Sequence, residues 1–299
     1  MMSSHQISIA IFGCVESSLT AIKSINRSRY GCLKCLVTTR KKGFNADYVD
    51  LSSYVGNGIR IIYIEDVTEN EIISIFESCK IKIGFCVGWS NLIPESIYNK
   101  FDYFFAYHPS PLPIGRGRNP ITWAIALGIK ETASSFFLIC NKPDAGDIVS
   151  QKSVVIMISD TARTLYDKLL AVLDVQIEEI LLSIWKDKLV FKKQSTKLAI
   201  YWRKRDDSDR LIDFRMSSKS IYNLVRSLGP PYVYSQVFVH GTRCNVVKVY
   251  RMQKVPDKFI EFGKVLAVSD NIIKVKTGDG AVGIQLLEEN LQISKGDYL

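Results

Sequence analysis

His108 and Asp144 are the two side chains of this sequence best placed for proton chemistry. His108 ends the apolar run FDYFFAY, which reads as a buried strand delivering a side chain to its rim. Asp144 lies 36 residues later, in the turn Asn141-Lys142-Pro143-Asp144-Ala145-Gly146-Asp147 that follows the alternating run ASSFFLIC. Ligands in α/β proteins bind at strand ends, so a His and an Asp that each close a strand form a plausible acid/base pair. Asp147 reads as a structural member of the same turn. Between the two lies Gly115-Arg116-Gly117-Arg118, ahead of a short helix that Pro120 can start. Backbone N–H groups and guanidinium forks in such a loop suit an anion. A solvated basic loop is the plainer reading, and substrate positioning is favoured slightly, more for Arg116 than for Arg118. His5 and His240 have no comparable context and read as surface or strand residues.

The elements that must carry these groups follow a βα alternation. Strands are predicted over 7–14, 32–39, 59–63 and 81–87, with helices over 16–25 and 68–78. The fingerprint G-x-G-x-x-G is absent after the first strand, where Gly13 stands alone, so a dinucleotide cofactor is not supported. The run IVSQKSVVIMI after Asp147 is strand-like. A helix over about 160–188 carries the stripe Leu165, Leu169, Leu173, Ile177, Ile180 and Ile184 at three- and four-residue spacing, which is core. The polar segment 188–197 reads as a connection. Beyond it, Ser217 or Ser218 caps a helix whose apolar face is Ile221, Leu224, Val225 and Leu228, stopped by Gly229-Pro230-Pro231. Five short strands around 234–240, 244–250, 262–268, 272–277 and 281–287 then suggest a small barrel.

The motif H-P-S-x-L-P-x-x-R-G from His108 to Gly117, followed by D-x-G-D-I from Asp144, resembles the formyltransferases that use 10-formyltetrahydrofolate. That family includes methionyl-tRNA, glycinamide-ribonucleotide and nucleotide-linked amino-sugar enzymes. The resemblance continues from R-K-R at 203 through I-D-F and N-L-V-R-S-L to T-G-D-G, which is similar to the C-terminal OB-like domain of the methionyl-tRNA and amino-sugar enzymes. The purine-pathway enzyme lacks that domain. The implied architecture is α/β: a Rossmann-like formyltransferase domain with a mostly parallel sheet over 1–188, a linker over 189–199, and a smaller OB-like β-barrel domain over 200–299.

The resemblance also implies roles. His108 would donate to the formyl oxygen, and Asp144 would hold the imidazole, contact the folate and take a proton from the attacking amine. The loop after the strand at 81–87 would line the folate slot, chiefly through its backbone, making Trp89, Ser90, Leu92 and Ile93 co-substrate candidates. The plainer reading of that loop is a strand-to-helix turn with Pro94 at the first helical position. Ser110, Arg116, Arg118, Arg203, Arg205 and Arg226 are the candidates for holding a nucleotide-linked substrate, although surface ion pairing explains the last three equally well. One position departs from the family: Ala106 stands where N-x-H would place Asn. An oxyanion donor is typically worth about 3 kcal/mol, so another amide would have to serve, with Asn119 and Asn141 the nearby ones.

Composition narrows the readings further. Hydrophobic residues make up 47% of 299, a globular content with room for two domains. No apolar run approaches the roughly 20 residues a bilayer span needs, and MMSSHQISIAIFG has no basic leader, so a cytoplasmic protein without membrane contact is expected. Seven scattered cysteines, with Cys32-x-x-Cys35 lacking a second pair or a nearby His, read as strand thiols, and no metal is expected. The net charge of +9 is spread along the chain, with 16 Lys+Arg against 11 Asp+Glu in 200–299. It suits a phosphate-bearing small substrate at least as well as tRNA.

The loop RKKGFNADYVDL after the second strand is short, where methionyl-tRNA enzymes commonly carry a longer basic one, although a solvated turn explains Arg40-Lys41-Lys42 as well. That brevity, and Arg203-Lys204-Arg205-Asp206-Asp207-Ser208, point toward the amino-sugar branch. The expected reaction is formyl transfer from 10-formyltetrahydrofolate to a nucleotide-linked amino sugar of the 4-amino-4,6-dideoxy type, as used in lipopolysaccharide O-antigen. Methionyl-tRNA as acceptor is the alternative, and a non-catalytic binding relative is the reading that Ala106 motivates. A homodimer is left open.

Overall fold

Apolar residues at alternate positions of the first strands face two different helical layers, and this dictates a sheet buried on both sides. The computed structural model describes residues 6–43, 46–252, 259–289 and 291–299; His5 lies outside them. In chain order the first elements are β1 (Ile7–Phe12), α1 (Glu16–Arg27), β2 (Gly31–Thr38), β3 (Arg60–Tyr63), α2 (Glu69–Ser78), β4 (Ile83–Cys86), α3 (Glu95–Tyr98) and β5 (Tyr103–His108). There follow β6 (Ile114–Gly117), α4 (Pro120–Ala126), β7 (Glu131–Leu138), β8 (Ile148–Val155) and α5 (Ala162–Trp185). Seven strands form one sheet in the order β3-β2-β1-β4-β5-β7-β8. β3, β2, β1, β4 and β5 are parallel, and β7 runs antiparallel to β5.

One face carries Ile9, Ile11, Leu33, Phe85, Phe105 and Phe136, packed with Ala21, Ile22 and Ile25 of α1 and Leu173, Ile177 and Leu181 of α5. The other carries Ala10, Phe12, Cys35, Val37, Ile62 and Phe104, packed with Ile72 and Phe76 of α2 and Ile97 of α3. Helix α2 starts where Thr68 and Glu71 cap each other: the Thr68 N–H donates to the Glu71 carboxylate at 2.7 Å. The same bond holds the Glu71 carboxyl below its usual range.

The chain divides into two units. The first comprises Met1–Pro120, Glu131–Val154 and Asp167–Trp202, and the second Ile121–Lys130, Val155–Tyr166 and Arg203–Leu299. Two short strands complete the first unit and were not expected from the sequence: β6 pairs in parallel with β9 (Ile200–Trp202). In the second unit, Ser217 caps α6 (Ser218–Arg226) by accepting the Ser220 N–H at 3.0 Å. The five strands expected of a barrel are β10 (Ser235–Val239), β11 (Thr242–Met252), β12 (Val265–Ser269), β13 (Ile272–Lys276) and β14 (Ala281–Leu286). They form one antiparallel sheet in the order β10-β11-β14-β13-β12, with Val237, Val246, Val275 and Ile284 closing on Ile221 and Val225 of α6. No helix among the described residues is long and apolar enough to cross a membrane.

Candidate active site

β5 explains why His108 is where it is. Phe104, Phe105 and Ala106 are buried, fixing the strand, and His108 is its last residue, 7% exposed. Its Nε2 lies 2.8 Å from the Gly115 carbonyl oxygen. A carbonyl can only accept, so Nε2 carries a proton. Nδ1 faces Asp144, with 4.0 Å between it and Oδ1. That separation is too long for a hydrogen bond, so both atoms keep capacity for a third group.

Asp144 is fixed from the same short strand that holds the histidine. The Gly117 N–H donates to its Oδ2 at 2.8 Å, which leaves Oδ1 toward the imidazole. Gly117 has φ +101°, and a Cβ there would meet the Trp202 carbonyl oxygen at 2.3 Å, so the close pairing of β6 with β9 requires glycine. Asp144 itself has φ +54°, the left-handed region that Asp tolerates better than most residues. Two residues on, a Cβ at Gly146 would sit 1.7 Å from the Leu138 carbonyl oxygen, which explains the D-A-G-D spelling of the turn. β6 thus orients both groups, through the Gly115 carbonyl on one side and the Gly117 amide on the other.

The remaining expected residues separate into three groups. Arg118 reaches back to the loop after β4, donating to the Ser90 carbonyl at 3.0 Å. Trp89 packs edge-on against Phe12, with ring centroids 6.3 Å apart, and Leu92 is 78% exposed. Ile93 is a core residue packed with Ile97 and Phe101. Asn119 and Asn141 are both exposed, and Asn119 has φ +53°.

Ser110 is a correction: it is fully buried, with its carbonyl accepting from Ser135 Oγ at 2.6 Å, so its hydroxyl does not face substrate. Arg116 is another. It is 2% exposed, with Nε and Nη2 on Gln194 Oε1 at 3.2 and 2.7 Å and Nη1 on the Tyr201 hydroxyl at 2.8 Å. Its donors serve the scaffold rather than a substrate phosphate.

Arg203, Arg205 and Arg226 belong to the second unit. Arg203 forms a bidentate pair with Asp209, donating at 2.7 Å through Nη1, and both Arg203 and Arg205 lie over the Trp123 ring. Burial lowers the Arg205 guanidinium from its usual value. Arg226 is buried, bonded to Asn223 Oδ1 at 3.0 Å and to the Asp160 carbonyl at 2.6 Å. This is an internal clasp, not the phosphate contact or surface ion pair expected for it.

Around Ala106 the surroundings are apolar: Leu112, Phe137, Ile148 and Cys86. The Cys86 thiol is pushed up to about 12, by burial first and by the Asp144 charge second. Sequence reasoning missed Gln194 and the two backbone groups of Gly115 and Gly117. Neither carried a local signal: a glycine–arginine run has no strand propensity of its own, and a glutamine in a polar segment has no fixed partner in sequence. No group of three or more His, Cys, Asp or Glu among the described residues could hold a metal.

Residues 39–177 match the formyl transferase family and residues 204–296 match the formyl transferase C-terminal domain. Among curated proteins, the methionyl-tRNA formyltransferase of Caldanaerobacter subterraneus subsp. tengcongensis is 27% identical over 289 residues, covering 94% of this chain and 92% of its own. That of Halothermothrix orenii is 30% identical over 237 residues, covering 76% and 73%. Among solved structures, the N-formyltransferase from Helicobacter canadensis, in complex with folinic acid and dTDP-3-aminofucose, superposes with a TM-score of 0.70 over 94% of this chain and 100% of that one. At 19% identity this likeness speaks to the fold. A histidine and an aspartate brought to one sheet rim from distant points of the chain are what a group-transfer enzyme needs, and the matches agree: the chain belongs to the formyl transferase family and is a formyltransferase.

Proposed function

We propose that the chain transfers the formyl group of 10-formyltetrahydrofolate to the amine of a nucleotide-linked amino sugar, with the 4-amino-4,6-dideoxy sugars the first to assay. The observation that carries the reading is the 4.0 Å gap between His108 Nδ1 and Asp144 Oδ1, each group anchored on its other side by β6. In this reading the catalytic unit is residues 1–188, with 189–199 joining it to the C-terminal domain.

The attacking amine nitrogen bonds to the formyl carbon, and the formyl oxygen takes up negative charge. His108 Nδ1–H donates to that oxygen. Asp144 stabilises the imidazolium as a carboxylate until it accepts the proton the amine must lose, directly or through a water. The bond from the formyl carbon to N10 of the folate then breaks as N10 takes the proton that Asp144 received from the amine, directly or through a water, giving tetrahydrofolate and the formylated amine and restoring the carboxylate. The backbone of the loop at Trp89, Ser90 and Leu92 is the surface offered to the folate. Arg118 holds the Ser90 carbonyl of that loop.

A small acceptor is supported by the loop after β2. Its Arg40 is engaged by Asp66 at 2.6 Å and stacked on Tyr63 at 3.5 Å from the ring centroid, and so offers little to a nucleic acid backbone. The C. subterraneus and H. orenii relatives, however, are methionyl-tRNA formyltransferases, and this keeps methionyl-tRNA as the second acceptor to test. Purified protein is given 10-formyltetrahydrofolate with a panel of nucleotide-linked 3- and 4-amino sugars, or with methionyl-tRNA, and tetrahydrofolate release is followed. Turnover with a sugar and none with tRNA is expected. Turnover with tRNA alone replaces the acceptor, and silence with every acceptor rejects the catalytic reading in favour of a binding relative.

A further inference from the structure

We propose that Gln194 is a positioning residue for Asp144, oriented for that task by the buried Arg116. The proposal rests on the reading of Asp144 as the catalytic carboxylate.

The chemistry of the partners fixes which way the Gln194 amide points. Arg116 can only donate, and two of its nitrogens meet one Gln194 atom, at 3.2 and 2.7 Å, so that atom is Oε1. The amide nitrogen therefore faces the carbonyl oxygens of Asp144 and Gly146, at 3.0 and 2.7 Å. Both are pure acceptors, and both N–H bonds of the amide are satisfied. The amide grips the backbone on either side of Ala145 in a turn whose preceding residues, Asn141 to Pro143, are exposed.

Asp144 needs such a grip. It holds φ +54°, a conformation that costs about 1 kcal/mol or more for a residue with a Cβ. The Gly117 N–H fixes its carboxylate, and the turn's own backbone bond, from the Ala145 N–H to the Lys142 carbonyl at 3.3 Å, ties Asp144 only to the exposed residues before it. Gln194 supplies the second point of attachment, from 50 residues along the chain, in a segment that the sequence presents as a mere connection.

Arg116 is the costly part of the arrangement. A buried guanidinium with no carboxylate among its hydrogen-bond partners carries a desolvation penalty, and here its three contacts are to Gln194 and Tyr201, both neutral. What it gains is an amide that cannot flip.

The test separates Arg116's partner from Asp144's. In Gln194→Glu the carboxylate still accepts from Arg116, as an ion pair, but donates nothing to the Asp144 and Gly146 carbonyls. Gln194→Leu removes both functions and serves as the control for folding. Turnover of 10-formyltetrahydrofolate is measured with the acceptor active in the panel above, for these variants, Asp144→Asn and the Gln194→Glu/Asp144→Asn pair. We expect Gln194→Glu to stay folded while kcat falls about 10- to 100-fold, as a displacement near 1 Å would cause, with KM for the formyl donor within about threefold. The double variant should be no slower than Asp144→Asn alone, because both losses act through one carboxylate. A Gln194→Glu enzyme with wild-type kcat, beside an inactive Asp144→Asn, overturns the proposal and spares the catalytic reading. So do losses that multiply in the double variant. A fully active Asp144→Asn, or a wild-type protein silent with every acceptor, overturns the catalytic reading and the proposal with it.

Discussion

This chain gathers arginine in two places, and it treats the charge differently in each. At the sheet rim, Arg116 and Arg118 donate to neutral oxygens: a glutamine, a tyrosine hydroxyl and the Ser90 carbonyl. At the start of the second unit, Arg203 meets Asp209, Arg210 meets Asp207 at 2.8 Å, and Arg215 meets Asp213 at 2.6 Å. Arg203 and Arg215, helped by backbone N–H bonds, hold Asp209 and Asp213 below their usual range, and Asp207 is held there by Arg243 first and Arg210 after it. Charge matched by a nearby carboxylate in solvent is cancelled and adds little stability. Charge matched by neutral groups in the interior persists and imposes order on whatever it touches. The sequence itself separates the two: residues 115–118 carry two arginines and no acid, whereas residues 203–215 carry five basic residues against four aspartates.

The largest effect that would break this comparison is on turnover. His108→Ala and Asp144→Asn should each lower kcat by about 10²- to 10⁴-fold, the range for a positioned acid or base, while the melting temperature stays near that of the wild type. His108 bonds one carbonyl and Asp144 one amide, so little of the fold depends on either. Steady-state kinetics beside thermal unfolding checks it, and a variant at wild-type rate removes the rim from the catalytic account.

The next effect is on stability. Arg116→Met fills much of the volume but leaves Gln194 Oε1 without either of its donors, while the half-exposed Tyr201 hydroxyl can turn to water. A loss of about 1–3 kcal/mol is expected for the stranded acceptor, read from urea unfolding. Arg203→Ala should do far less. Its side chain is 59% exposed, and the melting temperature should move by no more than about 2 °C, less still at high salt. If Arg203→Ala proved as damaging as Arg116→Met, the distinction between the two clusters would collapse.

How much of this was legible beforehand depended on whether the signal was local. The central strands announced themselves through apolar alternation, and His108 and Asp144 through their place after such runs. β6 and β9 did not. Ile114–Gly117 is a strand because Ile200–Trp202 lies beside it, 85 residues away at the Arg116–Tyr201 bond, and Gly-Arg-Gly has no propensity for extended structure on its own. Arg116 invited a substrate role because arginine among glycines is a generic anion site. Its burial is a property of the assembled sheet and has no trace in residue type. Ile93 shows the converse: it stands in a loop, yet its side chain completes the α2 and α3 core, leaving only its backbone to face a ligand. Gln194 sat in polar sequence that reads as a connection, where a glutamine carries no information until its partners are known.

The smallest effect expected tests how far the uncancelled charge at the rim extends. Cys86, at the end of β4 and paired in register with Ala106, has its thiol raised to about 12. A folded-state value above the usual 9.0 means the protonated thiol contributes stability that is complete below about pH 9 and lost as pH rises toward 12. Burial is the larger cause and the Asp144 charge the second. Asp144→Asn should therefore let Cys86 ionise at slightly lower pH, and alkylation followed by peptide mass spectrometry between pH 8 and about 11 should show its onset shifting down, by well under the shift that burial imposes. Cys35 provides the internal reference. It too is raised to about 12 by burial, but its charged neighbours are Cys79 and Arg60, so its onset should not move in the same variant. A parallel shift of both thiols would signal general loosening of the sheet. A shift of Cys86 alone would mean that the carboxylate acts across the rim toward the Ala106 position, which pairs with Cys86.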